Sequence, residues 1–195
     1  DYLPSPIDRP AVIGTTEDKK EIEILPDPKK PFSALVFKIM TDPFVGVLNF
    51  IRVYSGELKA GSYVYNARSR SKERVSRLVR MHANQREEID SIKAGDIAAI
   101  VGVKDATTGD TLCQEGTVLF LESIDIPAPV ISASIEPRNK ADYEKMVLTL
   151  RKLMQEDPSF RFSYNEETGQ TVIEGMGELH LEIKVDLLRR DHKID

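Results

Sequence analysis

The sequence predicts two domains, an all-β closed barrel followed by an α+β unit in the order β-α-β-β-α. Three observations predict it. Residues 31–126 are β-branched and aromatic runs cut by turn dipeptides such as Ser55-Gly56, with no helical period. A proline-marked joint, Ile126-Pro127-Ala128-Pro129, then interrupts the chain. Past it, within residues 127–195, a strand gives way to apolar residues at helical spacing and then to strands again. The chain has 195 residues, 41% hydrophobic and 30% charged, which suits globular domains. No apolar run reaches the length of a membrane span, so no membrane partner is expected, and no signal peptide opens the chain. The single cysteine, Cys113, cannot form an internal disulfide; in its apolar Thr111-Leu112-Cys113 context it reads as a packing residue of a protein from a reducing compartment.

Residues 1–30 hold Pro4, Pro6, Pro10, Pro26 and Pro28 with mixed charges and no sustained period, and read as an extended arm. Next, Ala34-Val36-Lys38-Met40 and Leu35-Phe37-Ile39 offer the two faces of a strand, Asp42-Pro43 marks a turn, and Val47 to Tyr54 forms a second strand. A short repeat follows. Leu58-Lys59-Ala60-Gly61 precedes Ser62-Tyr63-Val64, and Ile92-Lys93-Ala94-Gly95 precedes Asp96-Ile97-Ala98, each glycine standing where the backbone needs a positive φ before a new strand. Closing these strands into a barrel removes exposed edges.

In the second domain, Val130 to Glu136 reads as a strand. Tyr143, Met146, Val147, Leu150, Leu153 and Met154 recur at helical spacing, with Asn139 as N-cap and Asp157-Pro158 as the stop. Phe160, Phe162 and Tyr164 alternate with Arg161 and Ser163, Asn165 to Gly169 carries turn chemistry, and Thr171 to Glu174 resumes a strand. From Glu178 to Asp191 the signals conflict. Leu179, Leu181, Ile183, Val185 and Leu187 alternate like a strand, whereas the length, the Leu, Glu and Lys content and the Leu179-Ile183-Leu187 spacing suit a helix. The resulting β-α-β-β-α order is a ferredoxin-like split unit lacking most of its last strand.

No catalytic, cofactor-binding or metal site is expected in this chain. A phosphate-cradling loop needs glycine before lysine, and no Gly-Lys pair occurs. Asn139-Lys140-Ala141-Asp142 matches the N-K-x-D word of guanine selection, but without a phosphate loop or a D-x-x-G word it reads as helix capping. His180-Leu181-Glu182 lacks the P-C-x-x-C that a zinc deaminase requires, and His82, His180 and His192 have no His or Cys partner at ligand spacing. Glu178, Glu182 and Asp186 repeat every four residues, most simply a solvated helix face. The run from Arg68 to Arg86 is different in kind. Arg68, Arg70, Lys72, Arg74, Arg77, Arg80 and Arg86 stand against one acid, Glu73, in a chain of net charge −5. Such a cluster suits RNA phosphate contacts, with Arg68, Arg70, Lys72, Arg74, Arg77 and Arg80 as candidates. The alternative is a solvated hairpin whose charges pair with Glu87, Glu88 and Asp90.

The words E-D-P-S-F (Glu156–Phe160), E-T-G-Q-T (Glu167–Thr171) and G-M-G-E-L-H-L-E-I (Gly175–Ile183) occur in an order and spacing that closely resemble the third domain of elongation factor G. Val53-Tyr54-Ser55-Gly56, Gly61–Asn66 and Arg80-Met81-His82-Ala83-Asn84 resemble the second-domain barrel of translational GTPases, and Asp1–Pro6 resembles the last helix of their G domain. The resemblance covers essentially the whole chain and implies the bacterial or organellar form. It implies a helix for Glu178–Asp191. It also implies a cytoplasmic or organellar-matrix piece without enzymatic activity, cut from a GTPase that uses GTP and Mg to drive translocation of tRNA and mRNA. The implied partners are the ribosome, through small-subunit rRNA and ribosomal proteins, and the G domain and distal domains of the parent. Asp157, Ser159, Gly175, Gly177 and His180 are then candidates for the surface facing the G domain and the fusidic-acid pocket, although Gly175 and Gly177 also suit a plain strand-to-helix turn. Other readings are a ribosomal-protection or release-type GTPase piece, or a stand-alone RNA-binding protein. In the split unit a fourth strand would follow Lys193-Ile194, leaving Val130–Glu136 with an open edge here.

Overall fold

The computed structural model describes residues 4–42, 44–83, 85–122 and 124–195. The expected helix remnant at Asp1-Tyr2-Leu3, the Pro43 half of the Asp42-Pro43 turn and the Asn84 end of the Arg80–Asn84 word lie outside the described residues. The chain is mostly β and divides into two compact units, one ending at Ile124 and one starting at Asp125. No helix among the described residues is long and apolar enough to cross a membrane.

The first unit contains β1 (Val12–Thr16), β2 (Glu21–Ile24), β3 (Ser33–Asp42), β4 (Gly46–Ser55), β5 (Glu57–Lys59), β6 (Tyr63–Asn66), β7 (Ser71–Arg74), β8 (Arg77–His82), β9 (Gln85–Ile89), β10 (Ser91–Lys93), β11 (Ile97–Val101), β12 (Thr111–Cys113) and β13 (Leu119–Phe120). The arm expected over residues 1–30 is corrected here. After a 3-10 turn at Pro6–Asp8, β1 and β2 form an antiparallel hairpin, and β13 extends it to a three-stranded sheet. Apolar Val12, Ile22 and Ile24 make the difference, because they pack with Leu119, Leu121 and Cys113. The prolines lie outside the paired residues, where a missing N–H breaks no ladder.

The main sheet is antiparallel in the order β7-β6-β12-β3-β4-β11-β8-β9. Its two faces do not follow simple alternation along β3. A bulge between Val36 and Lys38 shifts the register against β4, so Ala34, Val36 and Ile39 join the main core while Lys38 turns outward. Strands β7 and β8 share one line of chain. Val75, fully buried between them, accepts from Gly61 N–H (2.8 Å) and donates to the Ser62 carbonyl (2.9 Å), and Ser76 N–H donates to the Val101 carbonyl (2.8 Å). The sequence repeat also finds its structural meaning. β5 and β10 pair antiparallel with Leu58 opposite Ile92, both buried, while Gly61 and Gly95 turn the chain away at φ of 79° and 95°.

The second unit runs β14 (Ile131–Ile135), α1 (Tyr143–Glu156), β15 (Arg161–Asn165), β16 (Gln170–Gly175) and α2 (Glu178–Arg190). The antiparallel sheet order is β14-β16-β15. α1 buries Met146, Thr149, Leu150 and Leu153. α2 is a helix, but its buried face is Leu181, Lys184 and Leu188, whereas Leu179 and Ile183 are 68% and 50% exposed. The period-2 pattern is thus a coincidence of two helical faces, one apolar to the core and one apolar to solvent. Phe160, Ile173 and Ile194 complete the core.

β14 has β16 as its single ladder partner among the described residues. Its outward N–H groups therefore exchange with solvent more readily than those of β4, which is paired on both sides. Hydrogen exchange should be faster at the edge-facing amides of Ile131–Ile135 than at Val47–Val53. Equal protection would mean that the β14 edge is covered.

Candidate functional site

In the second unit the residues flagged by sequence converge on one carboxylate. Asp157 ends α1, its backbone N–H bonding the Leu153 carbonyl. Its Oδ1 then accepts from the Ser159 N–H (3.0 Å) and hydroxyl (2.6 Å), an arrangement that turns the chain into β15. Oδ2 faces α2, where it meets His180 Nε2 at 2.8 Å and Lys184 Nζ at 2.6 Å. The Met176 backbone N–H donates to His180 Nδ1 at 3.1 Å. That nitrogen is therefore the acceptor, and Nε2 carries the hydrogen directed at Asp157. Phe160 lies below, its ring edge-on to His180 at 6.3 Å and under the Lys184 ammonium at 5.5 Å.

Gly175 is at the same place because nothing larger fits. A Cβ there would lie 2.7 Å from Leu181 Cδ2 and 2.9 Å from His180 Nδ1. Gly177 is the N-cap of α2 in extended backbone, with free space where a Cβ would stand, so nothing there requires glycine. The structure brings Asp157, Ser159, Gly175 and His180 together, with Gly177 one residue beyond Met176. Lys184 was missed. A lysine in a helix reads as solvent-facing, and its partner lies beyond the β15–β16 hairpin in sequence. Burial pushes the Asp157 carboxyl up, but hydrogen bonds from Lys184, Ser159 and His180, with the Lys184 charge, outweigh it and hold the group well below its ordinary range.

In the first unit the basic run is largely matched by acids. Arg77 pairs with Glu88 at 2.9 Å and Arg80 with Glu87 at 3.9 Å, across the β8–β9 ladder. The other partners come from distant segments. Arg70 meets Glu17 at 3.6 Å, Lys72 meets Glu115 at 2.5 Å, and Arg86 pairs with Asp42. Arg68 is the most firmly held, with Nε 2.7 Å from Asp110 Oδ1 and Nη2 donating to the Asp105 carbonyl at 2.9 Å. Asp110 is buried and also accepts from Asn66 and Thr107. Its burial raises its pKa, yet hydrogen bonds from Arg68, Asn66 and Thr107 bring it below the ordinary value, and the hydrogen bond to Asp110 in turn raises the pKa of Arg68. Arg74 is exposed and without an ion pair among the described residues. Asn139, in the N-K-x-D word, caps the turn before α1 by accepting from Ala141 N–H at 3.1 Å.

The folded-state pKa of Asp157 lies below the 3.8 of a free carboxyl, so its contacts add stability that is fully present above that value and lost as pH falls through the folded one. Thermal melts of the second unit should thus weaken on acidification, and less steeply for Asp157→Asn. Carboxyl NMR titration should show Lys184→Met moving the Asp157 midpoint upward. A midpoint unchanged by that substitution would contradict the arrangement.

Comparison with known proteins matches each unit separately. Residues 46–113 match the family model described as elongation factor Tu domain 2, and residues 126–195 match elongation factor G, domain III. Elongation factor G of Ureaplasma urealyticum serovar 10 is 58% identical over 194 residues, as is that of Ureaplasma parvum serovar 3; the alignments cover 100% of this chain and 28% of those proteins. A crystal structure of a Thermus thermophilus protein superposes with a TM-score of 0.71 at 29% identity, covering 85% of this chain and 25% of that one. The chain spans little more than a quarter of the length of the curated relatives it matches, and with a family model on each unit and this identity along its whole length, it belongs to the elongation factor G family.

Proposed function

We propose that this chain is the second- and third-domain part of an elongation factor G, serving to dock on the ribosome and to relay nucleotide state between domains. The observation that carries the reading is the 58% identity to elongation factor G over the whole chain. In this reading the parent is a cytoplasmic bacterial GTPase that uses GTP and Mg to move tRNA and mRNA, and this part breaks no bonds itself.

The first unit acts as a closed barrel. Support comes from β7 and β8, which continue one another through Val75-Ser76 while pairing with β6 at one end of the sheet order and β11 near the other. One core cluster also takes Val64 from β6 together with Leu78 from β8 and Ile100 from β11, neighbouring strands that a flat sheet would hold far from β6. The second unit is ferredoxin-like, a reading supported by its β-α-β-β-α order and β14-β16-β15 sheet. Arg68, Arg70, Lys72, Arg74, Arg77 and Arg80 are candidates for small-subunit rRNA contact, with Arg74 the most available. Asp157, Ser159, Gly175, Gly177 and His180 form the surface toward the G domain and the fusidic-acid pocket. The knot around Asp157 supports this, since it ties the α1–β15 turn to the first turns of α2 and moves both together.

Co-sedimentation with small ribosomal subunits and GTP titration test the reading. The chain should pellet with subunits, more weakly as salt rises, and show no heat of GTP–Mg binding. Arg74→Glu should weaken pelleting by about tenfold, and Arg77→Glu by less, because Glu88 already offsets Arg77. Micromolar GTP binding, or no pelleting at low salt, would overturn it.

A further inference from the structure

A concavity of the first unit lies apart from the β8–β9 ladder. It is a groove of about 1230 Å³ between the β1–β13 sheet and the end of β4, with Arg9, Arg52, Arg68 and Arg70 among its lining residues. The acids that share it are Asp110 and Glu122, and Asp110 is already matched by Arg68. Arg9 and Arg52 are exposed and have no carboxylate partner among the described residues. The groove thus holds two arginines without an ion pair, Arg9 and Arg52, beside Arg68 and Arg70, which are paired with Asp110 and Glu17.

The groove also offers planar surface. The Arg52 guanidinium lies over the Tyr54 ring, 5.6 Å from its centroid, and Phe120 of β13 and the following Leu121 also line the groove. Arg68 is fixed through Nε and one Nη2 hydrogen, so its remaining donors are presented in a set orientation with little further ordering required. A planar cation on an aromatic ring, an apolar wall and neighbouring arginines together match an unpaired nucleotide: base against the stack, phosphates on the guanidinium groups.

We propose that this groove binds single-stranded RNA, taking an unstacked base against Arg52 and Tyr54 and the adjoining phosphates on Arg9, Arg68 and Arg70. The inference rests on the RNA-docking reading above and moves its centre to Arg9, Arg52 and Tyr54, which lie outside the basic run, with Arg68 and Arg70 at the start of that run beside them. A base-paired duplex keeps its bases stacked and cannot enter in this way.

The test is fluorescence anisotropy with a labelled six-nucleotide single-stranded RNA, a duplex of the same length, and inorganic pyrophosphate as competitor. With about three phosphates engaged, affinity for the single strand should fall about twentyfold between 50 and 200 mM salt. Arg52→Glu and Arg9→Glu should each weaken it at least about tenfold, and Tyr54→Leu, which keeps an apolar side chain there, at least about fivefold. Arg151→Glu, a charge-matched change on α1, should leave it unaltered. Circular dichroism melts establish that each variant is folded. Wild-type affinity in the Arg9 and Arg52 variants, equal binding of duplex, or full competition by pyrophosphate would each overturn the proposal. If the chain pellets with small subunits but ignores the six-nucleotide strand, the groove fails and the docking reading survives. If it does neither, both fall.

Discussion

Asp110 sits 4% exposed at the start of β12 and accepts from Arg68, Asn66 and Thr107 at once. A carboxylate in such a place is tolerable only while every oxygen lone pair in reach of a donor has one, since removing a partner leaves a buried charge uncompensated. This requirement fixes more than one side chain. Asn66 ends β6, Arg68 begins the turn into β7, and Thr107 belongs to the loop before β12, so three segments are held to one point. Asn66 Oδ1 in turn accepts from the Arg68 and Ser69 N–H groups and shapes the β6–β7 turn itself. The wall of the arginine-lined groove follows from that turn.

The second unit solves the same problem with different chemistry. Asp157 takes hydrogen bonds from its own turn and from two side chains of α2, and Lys184 is buried to reach it. Both carboxylates join elements distant in sequence, and both have lowered pKa values for the same reason: donors outweigh desolvation. The Asp157 contacts tie the Asp157–Phe160 turn to the first two turns of α2, and a Cβ at Gly175 would lie 2.9 Å from His180 Nδ1. Relay of a conformational change requires this kind of coupling, in which packed elements move as bodies.

The sequence made some of this legible and concealed the rest for identifiable reasons. α1 was plain, because its apolar residues repeat at helical spacing and Asp157 marks its stop, although the expected N-cap Asn139 caps the 3-10 turn Lys140–Asp142 and Asp142 is the N-cap of α1. The positive φ at Gly61 and Gly95 followed from the repeated Lys-Ala-Gly words, though the pairing of β5 with β10 did not. The β1–β2 hairpin was hidden by flanking prolines, although Glu21-Ile22-Glu23-Ile24 alternates as a strand should. The bulge in β3 reverses the faces halfway along, and a one-residue insertion has no mark in composition. At the candidate sites, Asp157, Ser159 and His180 were identifiable from their motif. Lys184 was not, because burial of a lysine depends on a partner far along the chain. The basic run is the converse case: its density was visible, whereas the pairing of Arg68, Arg70 and Lys72 with Asp110, Glu17 and Glu115 arises only on folding.

In the proposed groove, geometry rather than the count of positive charges would set the affinity for RNA, and Asp110→Asn separates the two most directly. The substitution removes one negative charge from the groove and releases Arg68 from the group that orients it. Affinity for the six-nucleotide single strand, measured at fixed salt on a variant whose fold is verified by its melt, should fall despite the more positive groove. Tighter binding would mean that charge alone sets the affinity, and would contradict the account.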